Sequence, residues 1–311
     1  MIGAADIEAA AARIAPHVRR TPLWVLPSTA LELAGPPFEV WLKLEQLQVS
    51  GSFKARGMFN RLLANPIPAA GVIAASGGNA GIATATAARS LGVPAEIFVP
   101  TVISPAKRKR LEGLGARVVV TGAAYADALA ACQQRQRESG ALMTHAYDQS
   151  EVLAGAGTLA REIEQQAGVP DALLVSVGGG GLVGGIAAWF AGRTRIVALE
   201  PERAPTLHAA LAAGVPVDVE VSGIAADALG ARRIGSLAWD VAQHHPMKSL
   251  LLSDETILDA QRWLWQSFKL AVEPAAALPL AALRGGAWQP REGQRICLVL
   301  CGANVDPATL S

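Results

Sequence analysis

Short apolar runs alternate along this chain with longer stretches in which apolar side chains recur every three or four positions. The runs at 40–44, 72–75, 95–99, 117–121, 172–177, 195–199 and 295–301 are strand-sized, and several are apolar throughout, as strands covered on both faces are. Helical periodicity covers 79–91, 105–114, 125–139, 151–167, 182–190, 255–268 and 275–283. Strand and helix in turn predict an α/β protein with parallel sheets. The unit strand-helix-strand-helix-strand over 72–121 is compact and doubly wound, so the pattern predicts a small lobe at 53–143 inserted into a larger one formed by 1–52 and 144–311. Residues 1–14, rich in alanine, read as a first helix with Asp6 as its N-cap.

Composition narrows the partners. At 311 residues the chain is long enough for two cores, and 51% hydrophobic residues with a mean hydropathy of +0.30 exclude a disordered protein. No apolar stretch reaches the length of a membrane span, and a net charge of +1 offers no basic field for nucleic acid, so a small molecule is the expected ligand. Cys132, Cys297 and Cys301 form neither a disulfide framework nor a paired metal spacing, which points to a reducing cytoplasm. The first residues lack the basic and apolar regions of a secretory signal.

Candidate chemistry begins at Lys54, in the segment SGSFKARG at 50–57. A lysine amine attacks an aldehyde when its charge is disfavoured, and Phe53 as a shield and Arg56 as a neighbouring cation offer both routes. The segment alone is equally a solvated lysine near a helix start. Gly178, Gly179, Gly180 and Gly181 follow an apolar strand and precede an apolar helix. So many glycines are entropically costly, and backbone N–H groups closing round a phosphate at a helix N-terminus account for them better than a tight turn does. Neither a P-loop nor a convincing dinucleotide fingerprint is present. Further loops at 76–81 (SGGNAG) and 301–304 (CGAN) also end strands, where ligands of parallel sheets collect. The basic cluster Lys107, Arg108, Lys109 and Arg110 points round much of a helix and reads as a solvated surface. His244 and His245 read as surface residues, and Trp263 and Trp265 as helix packing or a subunit face.

In this order and spacing the segments resemble the serine/threonine dehydratase group of fold-type II pyridoxal-phosphate enzymes, which also contains serine racemase. The resemblance runs from RTP at 20–22 to NVD at 304–306, and includes GAG at 155–157, EPE at 200–202 and VEP at 272–274. It implies two lobes, each a twisted, mostly parallel sheet flanked by helices. It implies that Lys54 holds the aldehyde of pyridoxal 5'-phosphate, that Gly178, Gly179, Gly180 and Gly181 bind its phosphate, that Phe53 packs on the ring, that Asn79 meets the ring hydroxyl and that Cys301 faces the ring nitrogen. A neutral thiol there withdraws little charge and favours prompt elimination; apart from the resemblance, Cys301 could be a small buried hydrophobe. Ser76, Gly77, Gly78 and Ala80 would hold the substrate carboxylate, chiefly through backbone donors.

The implied reaction is α,β-elimination from a β-hydroxy amino acid: the freed Lys54 takes the α-proton, the hydroxyl leaves, and the enamine hydrolyses to a 2-oxo acid and ammonia. β-Replacement, racemisation or mere amino-acid binding on the same fold are the alternatives. Serine racemases carry a serine as second base where this chain has Gly77, which argues against racemisation. With Ala80 it leaves room for threonine, serine or a bulkier substrate such as phenylserine. Glu200 and Ala204 match a cation site in which a second acidic ligand is replaced by Thr206, which suits a monovalent ion such as potassium; Glu200 could equally just end its strand. The resemblance further implies a homodimer acting on a small amino acid, with neither nucleic acid nor membrane as partner.

Overall fold

Ten strands form two sheets among residues 1–310, which the computed structural model describes. In chain order the strands are β1 (Leu23–Pro27), β2 (Glu39–Lys43), β3 (Val72–Ala75), β4 (Ala95–Val99), β5 (Arg117–Val120), β6 (Leu142–Thr144), β7 (Ala172–Ser176), β8 (Arg195–Pro201), β9 (Lys248–Leu252) and β10 (Arg295–Val299). The helices are α1 (Ala4–Ile14), α2 (Lys54–Leu63), α3 (Asn79–Ser90), α4 (Pro105–Gly113), α5 (Tyr125–Ser139), α6 (Ser150–Ala167), α7 (Gly181–Phe190), α8 (Thr206–Ala213), α9 (Ser236–His244), α10 (Asp254–Phe268) and α11 (Pro274–Arg284). One sheet has the order β1-β2-β10-β7-β8-β9 and the other β5-β4-β3-β6; every pairing is parallel except β1 with β2.

Period-two alternation explains how the smaller sheet is covered. Val72 and Ala74 of β3 join Ile97 and Val99 of β4 in a core with α2 and α3, whereas Ile73, Ala75 and Phe98 face Ala128 and Cys132 of α5. Both faces are therefore dry, as parallel strands require. The central strands β7 and β10 of the larger sheet are buried at nine of ten positions, with only Arg295 exposed. Helices α2 and α6 cross closely because Gly155 has no side chain: a Cβ there would lie 2.4 Å from the Arg56 carbonyl oxygen. That crossing seats the first turn of α2, which begins with Lys54.

Several elements were not foreseen. β6 has only three residues, β9 begins with Lys248 and Ser249, and β1, apolar throughout as LWVLP, is a half-buried edge strand closed by Pro27. Helices α8 and α9 are short, with eight and nine residues. Asp6 is not the N-cap of α1: Gly3 occupies that position, and the Asp6 carboxylate, three residues on, accepts its N–H at 3.0 Å. No helix of the described residues is long and apolar enough to cross a membrane.

Candidate active site

The carboxyl ends of β3, β7 and β10 converge on the N-terminus of α2, and a narrow cleft opens there. Phe53, Lys54, Asn79, Gly178, Gly179, Gly180, Gly181 and Cys301 all line it. Four distant stretches of sequence thus meet. The cleft is completed by Ser176, Leu182, Ala228, Leu229, Glu273 and Ala275.

Lys54 is the first residue of α2. Its Nζ donates to the Ala146 carbonyl at 2.6 Å and lies 4.9 Å from the centre of the Phe53 ring. Burial lowers its pKa to about 8, against the opposing pull of Cys301 and Glu273. Arg56 is not the neighbouring cation that depresses it. Two residues along a helix is about 200° of rotation, so Arg56 points away into the interior and binds Glu45 through two nitrogens at 2.8 and 2.7 Å. Desolvation does the work that the sequence reading divided between two causes.

The glycine loop forms the N-terminus of α7. Gly180 has φ of +87°, and a Cβ there would approach Ala238 Cβ to 2.5 Å and Ile234 Cδ1 to 2.6 Å. Gly180→Ala is therefore expected to weaken retention of a phosphorylated ligand by tenfold or more, roughly the loss of one charge-assisted hydrogen bond. Equilibrium dialysis against pyridoxal phosphate measures it, and unchanged retention would separate the loop from phosphate binding.

Asn79 opens α3 and is held from both sides. Its Nδ2 donates to the Glu273 oxygens at 2.7 and 2.9 Å, and its Oδ1 accepts from Asn304 Nδ2. Glu273 is buried and its pKa is raised to about 7 by desolvation. Its one signal in the sequence is a carboxylate set inside the apolar segment that follows Val272. Cys301 is buried, and burial pushes its thiol well above the ordinary range, so it is neutral.

The carboxylate-binding candidates Ser76, Gly77, Gly78 and Ala80 flank Asn79 at the β3–α3 junction but do not line the cleft itself. A Cβ at Gly77 would lie 3.1 Å from Ile103 Cδ1 and 3.5 Å from Val99 Cγ1. That side of the loop is therefore an apolar wall.

Glu200, Ala204 and Thr206 come together where β8 leads into α8. The Glu200 carboxylate accepts from Leu207 N at 2.7 Å, His208 N at 2.8 Å and Thr206 Oγ1 at 3.0 Å, and burial raises its pKa to about 7. Thr206 shares its one hydroxyl proton with the Gly178 carbonyl, 2.5 Å from its Oγ1, which ties this corner to the glycine loop.

The basic cluster lies on the surface as expected, with Arg108, Lys109 and Arg110 exposed and Lys107 half-buried. Lys107 pairs with Asp227, beside the cleft residue Ala228, and Arg110 donates to the Ser50 carbonyl at 3.3 Å. Arg108 pairs only within its helix, with Glu112 at 2.8 Å. His244 is exposed and sits 2.8 Å from the Asp240 carbonyl, while Trp263 packs on Phe268 at 5.1 Å between ring centres and donates to Glu32 at 3.0 Å.

A run of backbone N–H groups at a helix N-terminus, a desolvated amine, an aromatic flank and a neutral thiol make a donor set that fits a phosphorylated pyridine aldehyde. A model of the family described as "Pyridoxal-phosphate dependent enzyme" matches residues 14–302. The chain is 35% identical over 305 residues to a phenylserine dehydratase of Ralstonia pickettii, covering 96% of this chain and 92% of that protein. It is 37% identical over 312 residues to an L-threonine ammonia-lyase of Geobacter sulfurreducens, covering 98% and 76%. Maize serine racemase superposes with a TM-score of 0.91 at 30% identity, covering 99% of this chain and 95% of that one. From Ile14 to Gly302, then, this chain belongs to the pyridoxal-phosphate-dependent enzyme family.

Proposed function

We propose that this protein is an ammonia-lyase that dehydrates and deaminates β-hydroxy amino acids, including threonine, serine and aryl analogues such as phenylserine, to 2-oxo acids. Pyridoxal phosphate, when bound, supplies an aldehyde for the substrate amine and a conjugated ring that accepts electron density from the adjacent carbon. Lys54 would hold that aldehyde, and Gly178 to Gly181 would anchor the phosphate through backbone N–H groups. Phe53 would flank the ring, the Asn79 amide would meet its hydroxyl, and Cys301 would contact its nitrogen without adding charge. Once released, the Lys54 amine, whose pKa is about 8, is suited to take the α-proton. The hydroxyl leaves as water with a proton that balances the one Lys54 takes from the α-carbon, and hydrolysis of the enamine gives the 2-oxo acid and ammonia. Ser76, Gly77, Gly78 and Ala80 would receive the substrate carboxylate.

One observation carries elimination over racemisation. Racemisation needs a second proton donor on the opposite face; Gly77 has no side chain, and its nearest neighbours there, Ile103 and Val99, carry no titratable group. Proton removal is thus served from one side. The names of the dehydratase and ammonia-lyase relatives agree with this reading. The proposal includes a monovalent cation near Glu200, Ala204 and Thr206, supported by a single carboxylate among neutral oxygens. It also includes a cytoplasmic homodimer, supported by three unpaired, buried cysteines and by Trp24 and Val25 of the edge strand, which are 40% and 45% exposed.

The test is 2-oxo acid release from serine, threonine and phenylserine, run beside chiral analysis of the remaining substrate. Release faster than loss of chirality is expected. Racemisation outpacing release would reject the reading, and inertness toward phenylserine would remove the aryl substrates. The same assay in potassium and in tetramethylammonium should differ; equal rates would remove the cation.

A further inference from the structure

Four consecutive residues between β6 and α6 reach Lys54, the glycine loop and α9. The Ala146 carbonyl accepts the Lys54 Nζ proton at 2.6 Å. The Tyr147 ring lies against the glycine loop so closely that a Cβ on Gly179 would sit 2.2 Å from it. The Asp148 carboxylate accepts from Ser236 N, Ser236 Oγ and Leu237 N, each at 3.0 Å, and so caps α9, while Gly235 N donates to the Gly179 carbonyl at 3.1 Å. What shapes this turn is His145. Its Nδ1 accepts from Asp148 N at 2.9 Å and from Tyr147 N at 3.3 Å.

Two N–H groups aimed at one ring nitrogen demand a lone pair there. A proton on Nδ1 would set N–H against N–H and cancel both bonds. We infer that His145 is a positioning residue whose bare Nδ1 locks the 145–148 turn, and that protonating it releases the turn and with it the Lys54 amine and the glycine loop. The inference rests on the reading of that cleft as the cofactor site.

The surroundings favour the neutral ring. Burial lowers the His145 pKa, Lys54 of α2 lowers it further, and Asp148 in the same turn opposes them. The Tyr147 ring meets the imidazole edge-on at 4.6 Å. Arg61 of α2 borders the same groove and is neutralised by Glu151 of α6 at 2.8 Å. A histidine whose folded-state pKa is lowered binds its proton less readily than in the unfolded chain. The lock is therefore complete above the ordinary histidine range and is lost progressively as pH falls below it.

Histidine-selective nitrogen NMR of the ligand-free chain should show His145 at neutral pH with Nδ1 unprotonated and the proton on Nε2. Pyridoxal phosphate affinity, followed by equilibrium dialysis, is then compared in wild type, His145→Asn and His145→Ala across the acid range. Asparagine offers an oxygen that accepts from the same two N–H groups and does not titrate. His145→Asn should keep neutral-pH affinity and lose the extra acid limb, which in wild type steepens toward tenfold per pH unit; the Lys54 titration is common to both. His145→Ala should bind at least tenfold more weakly at every pH. A proton on Nδ1 at neutral pH, or an acid limb in His145→Asn as steep as in wild type, would overturn the inference. The dehydratase reading can fail on 2-oxo acid release while these binding readouts stand.

Discussion

Lys54→Ala is expected to yield a folded protein from which borohydride traps no pyridoxal phosphate and whose turnover is lower by about 10²- to 10⁴-fold. The fold should survive because, among the described residues, no carboxylate lies within ion-pair distance of Lys54, and its removal takes one donor from the Ala146 carbonyl. In the unaltered, ligand-free chain, the rate of covalent cofactor uptake should follow the fraction of neutral amine. With the pKa at about 8, that rate should rise roughly tenfold per unit below pH 8 and level off above it. Stopped-flow absorbance against pH measures this, and mass spectrometry after borohydride reduction locates the adduct. Trapping on any other lysine would reject Lys54 as the attachment point. A plateau displaced to pH 10 would show that the cleft does not desolvate the amine.

The parts of the cleft that were legible in the chain are those whose local pattern has a mechanism of its own. A run of glycines between an apolar strand and an apolar helix is intelligible without any knowledge of what lies opposite, whereas a lysine at a helix start is equally a solvated one until the other segments are set beside it. Strands buried on both faces, such as β7, announce themselves as the glycines do. What stayed hidden depends on pairings between distant segments. Glu273 matters because folding sets it against Asn79, 194 positions away, and no local pattern carries that. The turn at 145–148 has no apolar periodicity, and its importance comes from reaching Lys54, Gly179 and α9 together. Arg56 falls on the other side of α2 for a related reason: adjacency in sequence suggests proximity to Lys54, whereas helical rotation separates the two.

That rotation makes Arg56 the residue whose loss should cost the most stability. It is buried, donates through two nitrogens to Glu45 and also contacts Glu162 at 3.0 Å and Thr158 at 3.3 Å. Lys43, buried as well, completes the network by binding Glu162 at 2.6 Å and the Thr21 carbonyl at 2.9 Å. Two cations and two carboxylates thus cancel where α2, α6 and the end of β2 meet. Burial pushes the Glu45 carboxyl up, but Arg56 and, more weakly, Lys43 pull it down further, so its folded pKa lies below the ordinary carboxylate value. Such a group stabilises the fold above its unfolded pKa, and that contribution disappears as pH falls through the folded one. Arg56→Met should cost about 3–5 kcal/mol at neutral pH, because it leaves Glu45 buried without its main partner. The deficit should shrink as pH falls toward 5, since desolvation then raises the Glu45 pKa and a proton replaces the missing cation. Arg56→Met combined with Glu45→Gln, which removes the stranded charge, should recover more than half of the loss at pH 7. Urea denaturation of the three ligand-free proteins at pH 5 and pH 7 decides it. A deficit that does not change with pH, or a double variant no better than the single one, would mean that Arg56 acts by filling space and not by charge. Borohydride trapping at Lys54 in Arg56→Met then reports whether the first turn of α2 holds its place once its inward anchor is gone.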